Sequence, residues 1–235
     1  MPTLLLKRPR QKRLLVVPKP ARRGNIKIPY EGWLACARHV LIEEGFAAVK
    51  VDRLAKRLKV TRGGFYHHFG SPEELQRKLV EIWRKENRIA PESFSATTPQ
   101  EGVALLHRIV AVLLREEIFD HRFDMAVRDW ARVAPEVDKV VHEVDEDRMR
   151  VLHLVFRALG YDSDEAVIRA RVFYYHQIGY YALGVEEQTK SRLEKLPTYL
   201  AVLCGEKYLK LVRRGQILED MAVLSSSLKN STRNL

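Results

Sequence analysis

From Trp33 onward the apolar positions of the chain recur at three- and four-residue intervals, the period of a helix that buries one face. Trp33, Leu34, Ala37, Val40 and Leu41 set the pattern and Gly45 stops it. Two short runs follow, Val51 to Leu58 and Thr61 to Phe69, with only Lys59-Val60 between them. Ser71-Pro72-Glu73-Glu74 then supplies an N-cap, a proline at the first helical position and acids in the first turn, so a fourth helix is predicted from Pro72 to about Arg88. Farther along, Thr98-Pro99-Gln100-Glu101 reads as a capping box opening a helix to about Glu117. A short helix is predicted over about 120 to 132. Pro135 opens a longer one that Gly160 ends, Asp162 to Glu165 start another that reaches about Leu183, and at least one more lies between Ser191 and Arg214, bent or begun at Pro197. No period-two alternation is sustained, so the predicted class is all-α.

Two helices joined as closely as Val51–Leu58 and Thr61–Phe69 make a helix-turn-helix, whose second helix enters the DNA major groove. At about 100° per residue, Phe65 and Phe69 share one face of that second helix and must pack inward, near Leu54, Ala55 and Val60. His67, Gly63 and Gly64 then form the groove face, with Arg62 and Tyr66 on one flank and His68 on the other, directed toward phosphates. Two adjacent glycines in a first turn suggest close approach of the backbone to a ligand. His67 and His68 point about 100° apart and lack a third ligand nearby, so they are not read as a metal pair.

The charge agrees with a polyanionic partner. The net charge is +11 with a pI near 9.7, and the excess lies early in the chain: residues 1–28 hold nine Lys or Arg and no acid. That segment also contains Pro2, Pro9, Pro18 and Pro20, and is expected to be a disordered basic arm. Cys36 and Cys204 are the only cysteines, which excludes a disulfide framework or a cysteine-rich zinc site and suits a reducing cytosol. With no apolar run near the length of a membrane span, a soluble, cytoplasmic protein is expected.

The block from Trp33 to Leu75, with LACARHVLIEEGF, then VDRLAKRLKVTRGGFYHHF, then GSPEEL, resembles the N-terminal DNA-binding domain of TetR-family transcriptional regulators. The resemblance implies that Thr61, Arg62, Gly63, Tyr66, His67 and His68 lie in or beside the major groove, and that the remainder is a helical ligand-binding and dimerisation domain. Three positions depart from the family pattern. Lys59 stands in the turn where glycine is usual, Lys50 precedes the second helix where Thr or Ser is usual, and Pro72 replaces a common lysine. A non-glycine residue in the turn is expected to carry some backbone strain. Lys50 cannot cap as threonine would but can reach a phosphate.

The expected organisation is therefore an arm at 1–28, a helix-turn-helix domain at 29–71, a helical effector-binding and dimerisation domain at 72–224 with 72–88 as its connecting helix, and a polar tail at 225–235. The segment Ala166 to Leu183 is apolar on more than one side, as expected of a subunit interface or, alternatively, of a central core helix in a monomer. The family resemblance implies a homodimer with a four-helix bundle built from this helix and one between Ser191 and Arg214. Leu106, Ile109, Leu113, Phe123 and Trp130 are candidate linings of an effector pocket, and Asp120 with Asp124 suits either a cationic ligand or, more plainly, a solvated acidic face. The leading function is a sequence-specific, ligand-responsive transcriptional regulator, a repressor on a near-palindromic double-stranded DNA operator, with no cofactor and no enzymatic role. The alternative is a helical enzyme or ligand-binding protein whose basic N-terminus binds nucleic acid non-specifically. No nucleophile elbow, phosphate loop, HExxH or paired-cysteine motif supports it.

Overall fold

The computed structural model describes residues 27–91, 93–115 and 118–232, so the basic arm, apart from its last two residues, lies outside the described residues. Ten α-helices and no strand occur among them: α1 (Tyr30–Glu44), α2 (Val51–Leu58), α3 (Arg62–Tyr66), α4 (Pro72–Glu86), α5 (Pro99–Leu113), α6 (His121–Ala131), α7 (Pro135–Ala158), α8 (Ser163–Ala182), α9 (Thr189–Leu209) and α10 (Arg214–Thr232). The class is all-α, as the periodicity predicts. Predicted caps are in place. Ser71 accepts from the Glu74 amide at the start of α4, and Thr98 and Glu101 form a reciprocal capping box on α5. Three accepted hydrogen bonds from Thr97 and Thr98 hold the Glu101 carboxyl at a pKa of about 2.

The turn between α2 and α3 is made by Lys59 in a left-handed conformation (φ 58°, ψ 38°), which brings the Val60 amide to the Ala55 carbonyl at 3.0 Å. Lys59 is the one non-glycine residue with positive φ among the described residues, the strain anticipated from the missing glycine.

Apolar side chains gather in two clusters. One joins Trp33, Leu41, Leu54, Phe65 and Phe69 of the first three helices and their connections to Leu79 and Trp83 of α4, to Phe123, Val127 and Trp130 of α6, and to Val137, Val141 and Val144 of α7. The other packs α5 against Val151, Leu152, Val155 and Phe156 of α7 and against α8, α9 and α10. The helix-turn-helix thus shares its core with α4, α6 and half of α7, and α7 contributes to both cores. Its 24 residues span about 36 Å.

The last two helices differ in detail from expectation. Pro197 lies inside α9 rather than at its start, and the break comes at Gly205 (φ 75°, ψ −170°). Beside the break the hydroxyl of Tyr161 bonds the backbone twice, donating to Cys204 O at 2.7 Å and accepting from Lys207 N at 3.1 Å. α10 carries the chain into the predicted polar tail as far as Thr232.

Candidate nucleic-acid interface

Phe65 and Phe69 are buried and stacked, with ring centroids 4.9 Å apart. Trp33 meets Phe65 edge-on at 5.5 Å and Tyr30 stacks on Phe69 at 4.8 Å, so α1 clamps the inner side of α3. With those rings inward, Thr61, Arg62, Gly63, Tyr66 and His67 are exposed together on the outer side, and Lys50, the uncapped residue before α2, is exposed as well. Tyr66 leans its ring edge-on against Phe65 at 5.2 Å, and the Arg62 guanidinium is paired with Asp52 of α2 at 2.9 Å. Spacing alone did not reveal that pair, which holds Arg62 over the α2 side of the face.

Two of the predicted contact residues are placed differently. Gly64 is half-buried, and a Cβ there would sit 3.5 Å from the Trp33 ring, an ordinary contact that leaves room for a side chain. Gly63 alone opens outward. His68 is also half-buried; its Nε2–H donates to the Ile28 carbonyl at 2.9 Å, which fixes the point where the chain enters α1 beside the end of α3. Ile28 therefore lies beside the end of α3, next to the exposed face. No cluster of three or more metal-ligating side chains occurs among the described residues.

Behind this face, α4 is held by a buried polar network. The Trp83 indole N–H donates to Asp124 at 2.9 Å. Asp124 also pairs with Arg148 at 3.0 Å and Arg128 at 2.8 Å, and Arg128 reaches Asp145 at 2.6 Å. Tyr174 of α8 donates to Asp145 and accepts from Arg128 and Arg148, while Arg148 also donates to the carbonyl of Asn87, the C-cap of α4, at 2.8 Å. Two aspartates balance two arginines, so the network is neutral. Burial alone would raise the Asp124 pKa, but the Arg148 and Arg128 guanidiniums outweigh it and hold the carboxyl below its ordinary value. Burial pushes the Tyr174 phenol up to about 12, keeping it a hydrogen-bond donor.

The acidic pair on α6 is accordingly not a solvated face. Asp124 is fully buried, and Asp120 caps α6 and pairs with Arg38 of α1 at 2.8 Å. Nor do the five candidate pocket residues converge. Leu106, Ile109 and Leu113 belong to the core of α5 with α8 to α10, where Leu113 borders a cavity of only about 60 Å³. Phe123 lies under Arg38, 4.3 Å from its guanidinium, and Trp130 stacks on Phe46 at 4.5 Å, both against the helix-turn-helix. The reason is that α6 crosses beneath α1 and spends its apolar face there.

Ile168, Val172 and Tyr175 of α8 and Tyr199, Val202 and Leu209 of α9 are exposed despite their apolar character. No helix among the described residues is long and apolar enough to cross a membrane.

Residues 34–79 match the family model described as bacterial regulatory proteins, tetR family. The Transposon Tn10 TetC protein of Escherichia coli is 35% identical over 119 residues, covering 50% of this chain and 54% of that protein, so the chain spans about half the length of that curated relative. Among solved structures, a transcriptional regulator from Rhodococcus sp. Rha1 aligns with a TM-score of 0.46 at 18% identity, over 84% of this chain and 96% of that one. The crystal structure of BioQ with its double-stranded DNA operator aligns with a TM-score of 0.40 at 24% identity, over 74% and 95%. The stretch that matches the tetR family model is the one that carries the left-handed turn and the short second helix with its phenylalanines buried and its polar face exposed.

Proposed function

We infer that the protein is a DNA-binding transcriptional regulator that acts as a homodimer on a near-palindromic operator and represses until a small molecule binds. The observation that carries this reading is the exposed set Thr61, Arg62, Gly63, Tyr66 and His67 on α3, backed by buried Phe65 and Phe69 within a TetR-family helix-turn-helix. His67 and Gly63 face base edges. Arg62, Tyr66 and Lys50 reach phosphates, and the nine basic residues of the arm add sequence-independent attraction. The exposed apolar faces of α8 and α9 pair across the dimer axis. Two α3 helices then engage successive major grooves about 34 to 36 Å apart.

The effector acts through α4. The network from Trp83 and Asn87 to Tyr174 ties the end of that helix to α8, so a ligand that disturbs it changes the spacing of the two α3 helices without touching DNA.

The test is binding of the purified protein to the DNA upstream of its own coding sequence against scrambled DNA at one salt concentration, with mass measured by light scattering. Expected are a dimer and a preference of at least about a thousandfold. Equal affinity for the two DNAs refutes sequence-specific regulation through this DNA, and a monomer at the concentrations where DNA is bound refutes the two-fold arrangement.

A further inference from the structure

From Lys50 to Phe69, the stretch that holds the helix-turn-helix, six residues are Lys or Arg and one is an acid, Asp52. A carboxylate on a surface that meets a polyanion opposes binding through its own charge, so its presence there calls for a reason. An acid in the first turn of α2 suits the helix dipole, but the dipole does not decide where the side chain turns. Lys56 stands one turn on, at the spacing that favours an ion pair with an acid before it. Asp52 instead crosses to the start of α3, where its Oδ1 lies 2.9 Å from Arg62 Nε. Arg53 and Arg57, the two arginines of α2, are both turned to Glu44 at the end of α1.

The pair has an open side. The Asp52 and Arg62 side chains are 71% and 61% exposed, and Asp52 Oδ2 has no partner among the described residues. Arg62 is the first residue of α3, and the N-terminal residues of a recognition helix are those that reach base edges. Asp52 therefore stands one guanidinium away from the groove. There a carboxylate can only accept a hydrogen bond. Guanine N7 and O6 and thymine O4 are acceptors and repel it. Adenine offers its N6 amino group, but between two acceptors, its own N7 and the O4 of its partner. The cytosine N4 amino group has an acceptor on one side only, the O6 of the paired guanine, so it is the donor that a carboxylate meets best.

We propose that Asp52 is a specificity-determining residue of the DNA face, accepting through Oδ2 from the N4 amino group of one cytosine in each operator half-site. The inference rests on the DNA-reading function proposed above and adds a base to it. Arg62 makes the arrangement tolerable: with Nε on the carboxylate and its terminal nitrogens toward a phosphate, one cation lies between two negative groups.

The experiment lets the full-length wild-type, Asp52→Asn and Asp52→Ala proteins each select from a pool of duplexes of randomised sequence, and the bound DNA is sequenced. Expected is one cytosine per half-site in the wild-type selection that becomes adenine with Asp52→Asn, because an amide matches adenine N6 and N7 together. With Asp52→Ala that position loses its preference, and the other positions keep their bases in all three selections. Competition binding completes the exchange: replacing that cytosine and its guanine by adenine and thymine weakens the wild type at least about fivefold and strengthens Asp52→Asn. An acid that only stabilises α2 cannot exchange one base preference for another. Unchanged preferences at every position, or an affinity change spread evenly over all sequences in variants with the wild-type circular dichroism spectrum, overturns the assignment. A wild-type protein that selects no sequence at all refutes the DNA-reading function itself, and this inference with it.

Discussion

Changing Asp124 to asparagine preserves the side chain's shape and an acceptor for the Trp83 indole, but removes the charge that two buried arginines share. At 2.8 and 3.0 Å, and with an effective dielectric constant of about 20, each attraction is worth roughly 5 to 6 kcal/mol in gross terms. Against it stands the desolvation of each ion, several kcal/mol, which the arginines still bear after the substitution. Arg148 is left buried and under-compensated, and the net loss should be about 3 to 5 kcal/mol. Arg148→Met in the same chain restores neutrality, since Arg128 keeps Asp145. The double variant should therefore be more stable than the sum of the single effects predicts, by about 0.5 to 3 kcal/mol. Urea unfolding at one fixed protein concentration, followed by circular dichroism, measures all four corners. The pH dependence has a definite sign: because the folded-state pKa of Asp124 is depressed, its contribution is complete above the unfolded value of about 3.9 and is lost as pH falls through the lower folded value. A cost for Asp124→Asn under about 1 kcal/mol, or additivity of the two substitutions within about 0.5 kcal/mol, refutes the view that this network holds α4.

Three further outcomes are expected. His67→Ala should lower the ratio of specific to non-specific DNA affinity, by about 1 to 3 kcal/mol if the imidazole meets a base edge, whereas Arg62→Ala should weaken all sequences alike; competition binding separates the two, and an unchanged ratio removes His67 from base reading. Deleting residues 1–26 should flatten the dependence of log affinity on log salt by about 0.9 for each phosphate that the arm neutralises, and an unchanged slope means that it neutralises none. Lys59→Gly should raise stability by about 0.5 to 1 kcal/mol in thermal or urea unfolding, because relief of roughly 1 to 2 kcal/mol of left-handed strain exceeds glycine's entropic cost; a loss of stability would show that the turn is unstrained.

Much of the architecture was legible because it is local. The caps at Ser71 and Thr98, the stop at Gly45 and the burial of Phe65 and Phe69 depend on residues within one or two turns of each other, where spacing decides the outcome. The network was not legible for the complementary reason. Asp124 with Arg128 at i,i+4 and Asp145 with Arg148 at i,i+3 are spacings that also occur in solvated surface pairs, and only the crossing of α4, α6, α7 and α8 turns them inward. Phe123 and Trp130 went astray by the same ambiguity, since an apolar stripe on α6 says that it packs but not on which neighbour. His68 was assigned to the outer flank because helical geometry gives its direction, but the return of residues 27–29 past the end of α3 is invisible to periodicity.

The membership of α7 in both apolar clusters bears on how the molecule loses its structure. If Val137 to Val144 and Val151 to Phe156 stood on separate helices, the half that carries the helix-turn-helix would be free to melt while the other half stayed folded. On one continuous helix, losing either half exposes an unsupported length of the other's central strut, because an isolated helix of this kind is marginal in water. The two halves are therefore expected to behave as one cooperative unit rather than as beads on a string, with the middle turns of α7 the last to open to solvent exchange.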